Sequence, residues 1–331
     1  MERAYQAKSG AMDQEMKLYH SIDELPKGKR LIATLGLFDG VHLGHQHLVK
    51  STIRMARELD AESLVVTFTE HPLSILRPEL PLPRTLISPD QKVAQLNRLG
   101  VDHLLILPFT LELSQLSAED FVRPLIATGL LAMMLGYDNR FGRRIEGEET
   151  EAFNARLEAL GLTIRRIKPL IIDGDTVSSS RIRALIAKAD FAEAEKLLGR
   201  PYSIVGQVRE GRQIGRTIGY PTANIVPYDD GVALPEVGVY ISEVKKGNQI
   251  YPAMSYYGST PTITPNGHIL YRIEAYLFGF EGDLYEEELE IAFRHFLRPD
   301  QKFDGLEALG VQLKRDAEAT QQFFKTHPLA L

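Results

Sequence analysis

The chain contains no cysteine. Disulfides, thiol nucleophiles and zinc–thiolate sites are therefore excluded. It also lacks any apolar run long enough to span a bilayer, and no charged-then-apolar leader opens it. The cytoplasm is thus the expected compartment, and no membrane partner is expected. An excess of positive charge is missing as well. The 38 Lys and Arg residues stand against 44 Asp and Glu, a net charge of −6, so there is no broad electrostatic attraction for nucleic acid. Internal repeats and low-complexity tracts are absent too.

What is present is of ordinary globular composition. The 331 residues favour two domains over one, and 44% hydrophobic with 25% charged residues is the usual balance of a packed protein. Arginine is locally dense only at Arg140–Arg144 and Arg181–Arg183, two short basic spots that suit a small phosphorylated ligand better than a polymer. The oligomeric state is not legible.

The stretch LIATLGLFDGVHLGHQH, Leu31–His47, organises the first half. Leu31–Phe38 is short and mostly apolar, the profile of a buried parallel strand. Asp39-Gly40 breaks it with a turn. From Gly44 onward Leu48, Ile53, Met55 and Leu59 give a helix its apolar positions. A strand, a tight turn and a helix N-terminus make an anion site, because unpaired backbone N–H groups and the helix dipole face the turn. His42 and His45 stand at that turn, and their imidazoles can donate hydrogen bonds to phosphate oxygens as negative charge builds. Gly44 lets a nucleotide approach the backbone.

Residues 1–16 are polar and unpatterned, an expected flexible lead-in. Lys17–Arg30 carries a turn around Pro26-Lys27-Gly28. Glu62–Phe68, Val101–Leu107, Leu130–Leu135 and Leu162–Ile172 read as further strands, separated by helices at Pro89–Leu99, Ser117–Thr128 and Glu149–Leu160. This spacing predicts a doubly wound parallel sheet. Such sheets place ligands beyond the carboxyl ends of their strands, where His71 follows one strand and Asp138 and Asn139 follow another. Ser178, Ser179 and Ser180 open a further helix, where serines are good N-caps. Arg181 and Arg183 do not share a helix face, and with Ser178 and Ser179 they could clamp a pyrophosphate or triphosphate. Ala184–Gly199 reads as a helix that stops at Gly199-Arg200-Pro201.

Beyond Pro201 the pattern changes. Tyr202–Val208, Gly238–Val244, Gln249–Met254, His268–Phe278 and Leu289–Phe296 alternate apolar and polar residues, which predicts a small antiparallel barrel, with Gly305–Phe324 as a closing helix. Gly211–Gly219 fails as a P-loop, having one residue too few between the glycines and Arg216 in place of lysine. In Tyr220-Pro221-Thr222-Ala223-Asn224, Pro221 stiffens the turn, while Thr222 and Asn224 offer oxygens suited to a Mg²⁺ ion carrying nucleotide phosphates. The same residues also read as a plain polar turn.

Together these stretches resemble the prokaryotic bifunctional riboflavin kinase/FMN adenylyltransferase family, also called FAD synthetase. GLFDGVHLGHQ is similar to the nucleotidyltransferase signature in its FMN-adenylylating form, and Val177–Arg183 to the S-S-T-x-I-R element with Ser180 replacing threonine. Gly206–Asn224 followed by Gly238-Val239-Tyr240 resembles the kinase signature G-R-x-x-G-F-P-T-A-N, and Arg298 with Lys302-Phe303 its R-x-x-x-K-F segment. The resemblance implies a nucleotidyltransferase domain at 17–187, a linker helix at 188–200 and a kinase barrel at 201–331. It implies that riboflavin and ATP give FMN and ADP in the barrel. FMN and ATP would then give FAD and pyrophosphate in the first domain, with Mg²⁺ accompanying ATP. By the same resemblance His42 and His45 serve adenylyl transfer, and Glu274 takes the proton from the riboflavin 5′-hydroxyl. Gly36, Phe38, Asp39, Gly44, Ser178, Ser179, Arg181, Arg183, Gly215, Thr222 and Asn224 hold nucleotide, and His71, Asp138, Asn139 and Arg298 face the flavin. The sequence departs from the family pattern at Glu70, Asn139, Tyr220 and Ala253–Thr262, where Tyr256 and Tyr257 stand at the usual Asn and Ile positions. Adenylyltransferases for pantetheine phosphate or pyridine nucleotides share H-x-G-H but would lack the Pro221–Asn224 signature. A flavin-binding regulatory protein with one silent half is a further alternative.

Overall fold

The computed structural model describes residues 15–143, 145–211, 214–229, 231–263 and 269–331, so the expected flexible segment 1–16 lies almost wholly outside the described residues. The chain packs as two units, one formed by residues up to Leu82 with Pro89–Leu170, the other by Pro83–Ser88 with Ile171–Leu331.

In the first unit six strands lie parallel in one sheet. They are β1 (Lys17–Tyr19), β2 (Leu31–Leu35), β3 (Glu62–Phe68), β4 (His103–Leu107), β5 (Leu130–Gly136) and β6 (Thr163–Ile167), ordered β1-β4-β3-β2-β5-β6. Every residue of β2 is buried, as a central parallel strand covered on both faces requires, hence a run that is apolar except for Thr34. From β2 the chain winds through β3 and β4 on one side, then returns to place β5 and β6 on the other. The order therefore reverses between β2 and β5, and a crevice opens there at the carboxyl ends of the strands.

The helices of this unit are α1 (Leu43–Glu58), α2 (Pro72–Leu76), α3 (Pro89–Arg98), α4 (Leu111–Gln115), α5 (Ala118–Thr128) and α6 (Thr150–Glu158). Helix α1 buries Leu48, Val49, Thr52, Ile53 and Ala56, a stripe at helical spacing, and packs on β2 and β3. The core gathers Leu31, Ala33, Leu64, Val66, Leu105, Phe121, Leu125, Met133 and Phe153. Each large side chain buried there stabilises the unit by roughly 1.5–3 kcal/mol.

The second unit begins with a short hairpin, β7 (Ile171–Ile172) and β8 (Asp175–Thr176), and two helices, α7 (Ser179–Ala187) and α8 (Phe191–Leu198). A closed antiparallel barrel follows: β9 (Ser203–Arg209), β10 (Ala223–Pro227), β11 (Gly238–Lys246), β12 (Gln249–Ile263), β13 (Ile269–Leu277) and β14 (Glu288–Pro299), in ring order β10-β13-β12-β11-β14-β9. The turn of helix α9 (Ile214–Thr217) lies between β9 and β10, and α10 (Leu306–Phe324) packs beside β12.

Both fold classes agree with the sequence reading, but several elements differ from it. Lys17–Tyr19 adds a sixth parallel strand too short to leave a period. Leu162–Ile172 is not one strand: pairing stops at Ile167, just before Pro169, which has no N–H to give, and Ile171–Ile172 turns back on Asp175–Thr176. Ala184–Gly199 is two helices, because Ala189 takes a left-handed φ of 56° and the Asp190 carboxylate caps α8 at the Glu193 N–H. The barrel has six strands rather than five, since Ala223–Pro227, hidden behind a turn-like Pro-Thr, pairs with both β9 and β13. The strand expected at Gln249–Met254 runs on to Ile263, and the expected start of the next one, His268, lies outside the described residues.

Candidate active sites

The first site grows out of the end of β2. Phe38 has φ 51°, Gly40 φ 80° and Val41 φ 39°, so two non-glycine residues, one of them β-branched, occupy left-handed backbone within four positions. Such conformations are costly and survive only where the surroundings impose them. Here they turn the chain abruptly so that His42 becomes the N-cap of α1. Its Nδ1 accepts the N–H of His45 at 3.3 Å. That bond uses the Nδ1 lone pair, so neutral His42 carries its proton on Nε2 as a donor.

The His45 ring stacks on His42 with centroids 3.6 Å apart and planes 16° from parallel, and Phe38 meets it edge-on at 5.4 Å. Phe38 is buried, and its ring supports His45. Gly36 lies under that ring, where a Cβ would stand 3.4 Å from it, and Gly44 is half-buried in the first turn of α1. Burial, then His42 and then Lys92 hold the His45 pKa well below the usual 6.5. It is a neutral imidazole at neutral pH, and its buried Nδ1 has no hydrogen-bond partner.

Lys92 is the cation that sequence reasoning missed. It is half-buried on α3, which packs against the 39–41 turn, and it faces both Asp39 and His45 electrostatically. Desolvation lowers its pKa and Asp39 raises it. Nothing within Pro89–Leu99 distinguishes this lysine; only the packing of α3 does.

His71, at the end of β3, caps α2 by accepting the Leu73 N–H on Nδ1 at 3.2 Å, which sets its tautomer as in His42. At the end of β5 the Asp138 side chain is exposed, while the Asn139 carboxamide donates to the Leu35 carbonyl at 2.6 Å.

Ser178, Ser179, Arg181 and Arg183 belong to the second unit. Ser178 caps α7 through the Arg181 N–H, and Ser179 opens that helix. The Arg181 guanidinium donates to the carbonyls of Ile172 at 3.1 Å and Asp175 at 3.4 Å, holding the β7–β8 hairpin. Arg183 donates through Nε to the Arg84 carbonyl at 2.6 Å.

The second site is a cavity of about 270 Å³ on the barrel. Along β13, Ile273, Ala275 and Leu277 are buried while Glu274 and Tyr276 turn to the opposite face and line the cavity. Glu274 stands in register with Asn224 on β10 and Tyr256 on β12, so three strands deliver a carboxylate, a carboxamide and a phenol in one row. Thr222, Tyr220 and Phe303 also line it, and Tyr220 meets Tyr276 edge-on at 5.3 Å.

Tyr256 hydrogen-bonds Asp300; burial, then Asp300 and then Glu274 push its pKa up to about 12, so it remains a neutral donor. Arg298 lines the same cavity but is held by Asp316 of α10 through Nε at 3.1 and 3.0 Å and a second nitrogen at 2.8 Å, with Phe303 below the guanidinium at 5.7 Å. Its charge is neutralised within the wall. Gly215 is needed for space, since a Cβ there would overlap the Tyr220 carbonyl. Asn224 is 7% exposed, and a Cβ on Gly211 would run into its carboxamide. Thr222 and Asn224 carry hard oxygens of the kind a Mg²⁺ ion takes, and Thr222 lines the same cavity as Glu274. Among the described residues no group of three His, Cys, Asp or Glu could hold a metal by itself.

Residues 25–181 match the family profile for FAD synthetase, and residues 198–324 the profile for riboflavin kinase. The bifunctional riboflavin kinase/FMN adenylyltransferase of Listeria monocytogenes is 34% identical over 310 residues, covering 93% of this chain and 97% of that protein. The chain belongs to that family. A second member, from Pseudomonas fluorescens, is 35% identical over 309 residues, 92% of this chain and 97% of its own. A crystal structure described as a macrolide-efflux protein from Streptococcus pneumoniae shares 31% identity and a TM-score of 0.81 over 92% of this chain and 98% of that one. That likeness is one of fold; among the described residues no helix is long and apolar enough to cross a membrane. The FAD synthetase profile of the family ends at Arg181, inside α7, whereas packing divides the chain earlier, between Leu170 and Ile171.

Proposed function

We infer that this chain makes flavin cofactors in two steps, phosphorylating riboflavin to FMN and then adenylylating FMN to FAD. The observation that carries this is the joint presence of both family profiles in one chain, each falling on a site with the groups its reaction needs. Residues 201–331 would perform the first step and 17–187 the second, with 188–200 linking them.

In the kinase step the riboflavin 5′-hydroxyl oxygen attacks the γ-phosphorus of ATP, and the bond to ADP breaks. Glu274 accepts the hydroxyl proton. The aromatic walls at Tyr220 and Tyr276 suit a flat ring system, and Arg298 backs that wall. Thr222 and Asn224 would hold the Mg²⁺ that arrives with ATP, and Gly215 lets the loop close around the nucleotide. That ion supplies neutralisation of phosphate charge.

In the adenylyl step an FMN phosphate oxygen attacks the α-phosphorus of ATP, and pyrophosphate leaves. The nucleophile is already anionic, so no base is required, and rate comes from positioning and charge stabilisation. His42 would donate through Nε2 to the phosphate oxygens, with neutral His45 stacked behind it. Gly36, Phe38, Asp39 and Gly44 shape the nucleotide side, and His71 and Asp138 the flavin side. The cytoplasm, which supplies ATP and Mg²⁺, suits this reading.

Incubation of the purified chain with riboflavin, ATP and Mg²⁺, with flavins separated over time, should show FMN rising first and FAD after it. FMN that never proceeds to FAD would remove the adenylyl half; absence of FMN would remove the kinase half. Chelation of Mg²⁺ should stop both steps.

A further inference from the structure

Between β2 and β5 the paired register ends at Thr34–Met134, and beyond it the two sides of the switch point separate. The Asn139 carboxamide joins them one residue further on, at the Leu35 carbonyl. Asn139 is in turn held from behind. Arg166, on β6 opposite Leu135, turns one guanidinium nitrogen onto three carbonyls of the 136–139 turn, those of Gly136 at 2.8 Å, Tyr137 at 3.3 Å and Asn139 at 2.8 Å. Its other two nitrogens donate to Asn154 Oδ1 of α6 at 3.1 and 3.0 Å, and the Phe153 ring lies 5.7 Å beneath it. All three nitrogens of the fork therefore donate to this turn or its support, a task a point-like ammonium cannot reproduce.

Leu35 immediately precedes Gly36 and the strained turn that places His42. We propose that Arg166 and Asn139 act as a coupled pair of positioning residues for adenylyl transfer, setting the separation of the β2 and β5 ends and hence the place of the His42 donor relative to FMN and ATP. The proposal rests on assigning adenylyl transfer to the first unit. Neither residue needs to touch the reacting phosphates. Asn139 transmits to β2 the position that Arg166 imposes on the end of β5.

The test is a double-mutant cycle on the full chain, with Arg166→Ala, Asn139→Asp and the double variant. Asn139→Asp keeps the shape but sets a carboxylate oxygen against the Leu35 carbonyl. Initial rates of FAD formation from added FMN and ATP are measured alongside FMN formation from riboflavin by the barrel of the same molecules. Each single variant should lower kcat/KM for FAD formation about tenfold, and the double variant should be no worse than the weaker single, because both break one connection. FMN formation should stay at the wild-type rate. Arg166→Lys, which keeps the charge and loses the fork, should share the defect. The first unit of Arg166→Ala should remain folded at the assay temperature by calorimetry, and a loss of FAD formation that only tracks unfolding of that unit would overturn the proposal. Additive losses in the double variant, full activity of Arg166→Lys or unchanged kinetics in both single variants would each overturn the proposal. A wild-type chain that forms no FAD from FMN overturns the underlying assignment and the proposal with it.

Discussion

At the switch point of the parallel sheet the site is made largely of backbone: a strained turn, a helix N-terminus and carbonyls held by side chains from behind. On the barrel it is made of side chains, with Asn224, Glu274 and Tyr256 set in one row by strand register and the last two lining an aromatic cavity. The difference follows the chemistry. Adenylyl transfer begins from a phosphate that is already a nucleophile, so the protein has to manage charge, and backbone N–H groups and imidazole donors do that without a base. Phosphorylation begins from an alcohol, so a carboxylate must meet the hydroxyl proton in a place shielded from water. The cation that lines the barrel site, Arg298, is accordingly neutralised locally by Asp316.

The sharpest way to break this contrast is Glu274→Gln. FMN formation should fall by roughly 10²–10⁴, while FAD formation from added FMN stays unchanged; wild-type FMN formation would take Glu274 out of the mechanism. His42→Ala tests the other side. Loss of one transition-state donor should cost FAD formation roughly 10²–10³ and leave FMN formation intact, whereas loss of both products would mean that the two sites are not separate.

A smaller effect concerns stability. Asp316 is 2% exposed and its partner Arg298 15%, so Asp316→Asn leaves a nearly buried guanidinium uncompensated, at a cost of roughly 3 kcal/mol. Calorimetry should show the barrel transition moving down with the parallel-sheet transition unmoved; a shift of the latter alone would refute it.

The smallest effect is in pH dependence. The folded pKa of His45 lies below its ordinary 6.5. Between those values the unfolded chain binds more protons, so the stability of the first unit falls as pH drops below 6.5 and is fully kept above it. His45 itself stays neutral through 6.5, so it should produce no half-titration of FAD formation there. An inflection at that pH that vanishes only in a His45 variant would contradict this. Tyr256, at about 12, should likewise leave FMN formation level through pH 10.

How much of this was legible in the sequence depends on the range of the interaction. β2 was readable because a strand buried on both faces shows as a nearly continuous apolar run, broken only by Thr34, and His42 with His45 because turn, cap and helix are local. Strand β10 was not readable. Pro221-Thr222 carries a turn signal, and the pairing of Asn224 with Glu274 spans a distance in sequence that no local period encodes. Lys92, Asp316 and Arg166 escaped for the same reason. Each is an ordinary surface-type residue on its own element and acquires a role from what another element brings against it. Asn139 was noticed as a departure from the family pattern, but its bond to Leu35 was not, because a carboxamide facing a carbonyl across a crevice leaves no trace in residue type.

The closure of the barrel has a consequence for the lifetime of its site. With six strands joined in a ring, none has a free edge from which to fray, and the peptide groups of Asn224 and Glu274 are paired on both sides. Their amide protons should exchange with deuterated solvent only when the whole barrel opens, so the carboxylate keeps its place for as long as the domain stays folded. Phe38–Val41 has no such ladder around it. Its arrangement can be lost and regained many times within one folding lifetime, and of the two sites it is the one whose exchange rates should respond when a nucleotide binds.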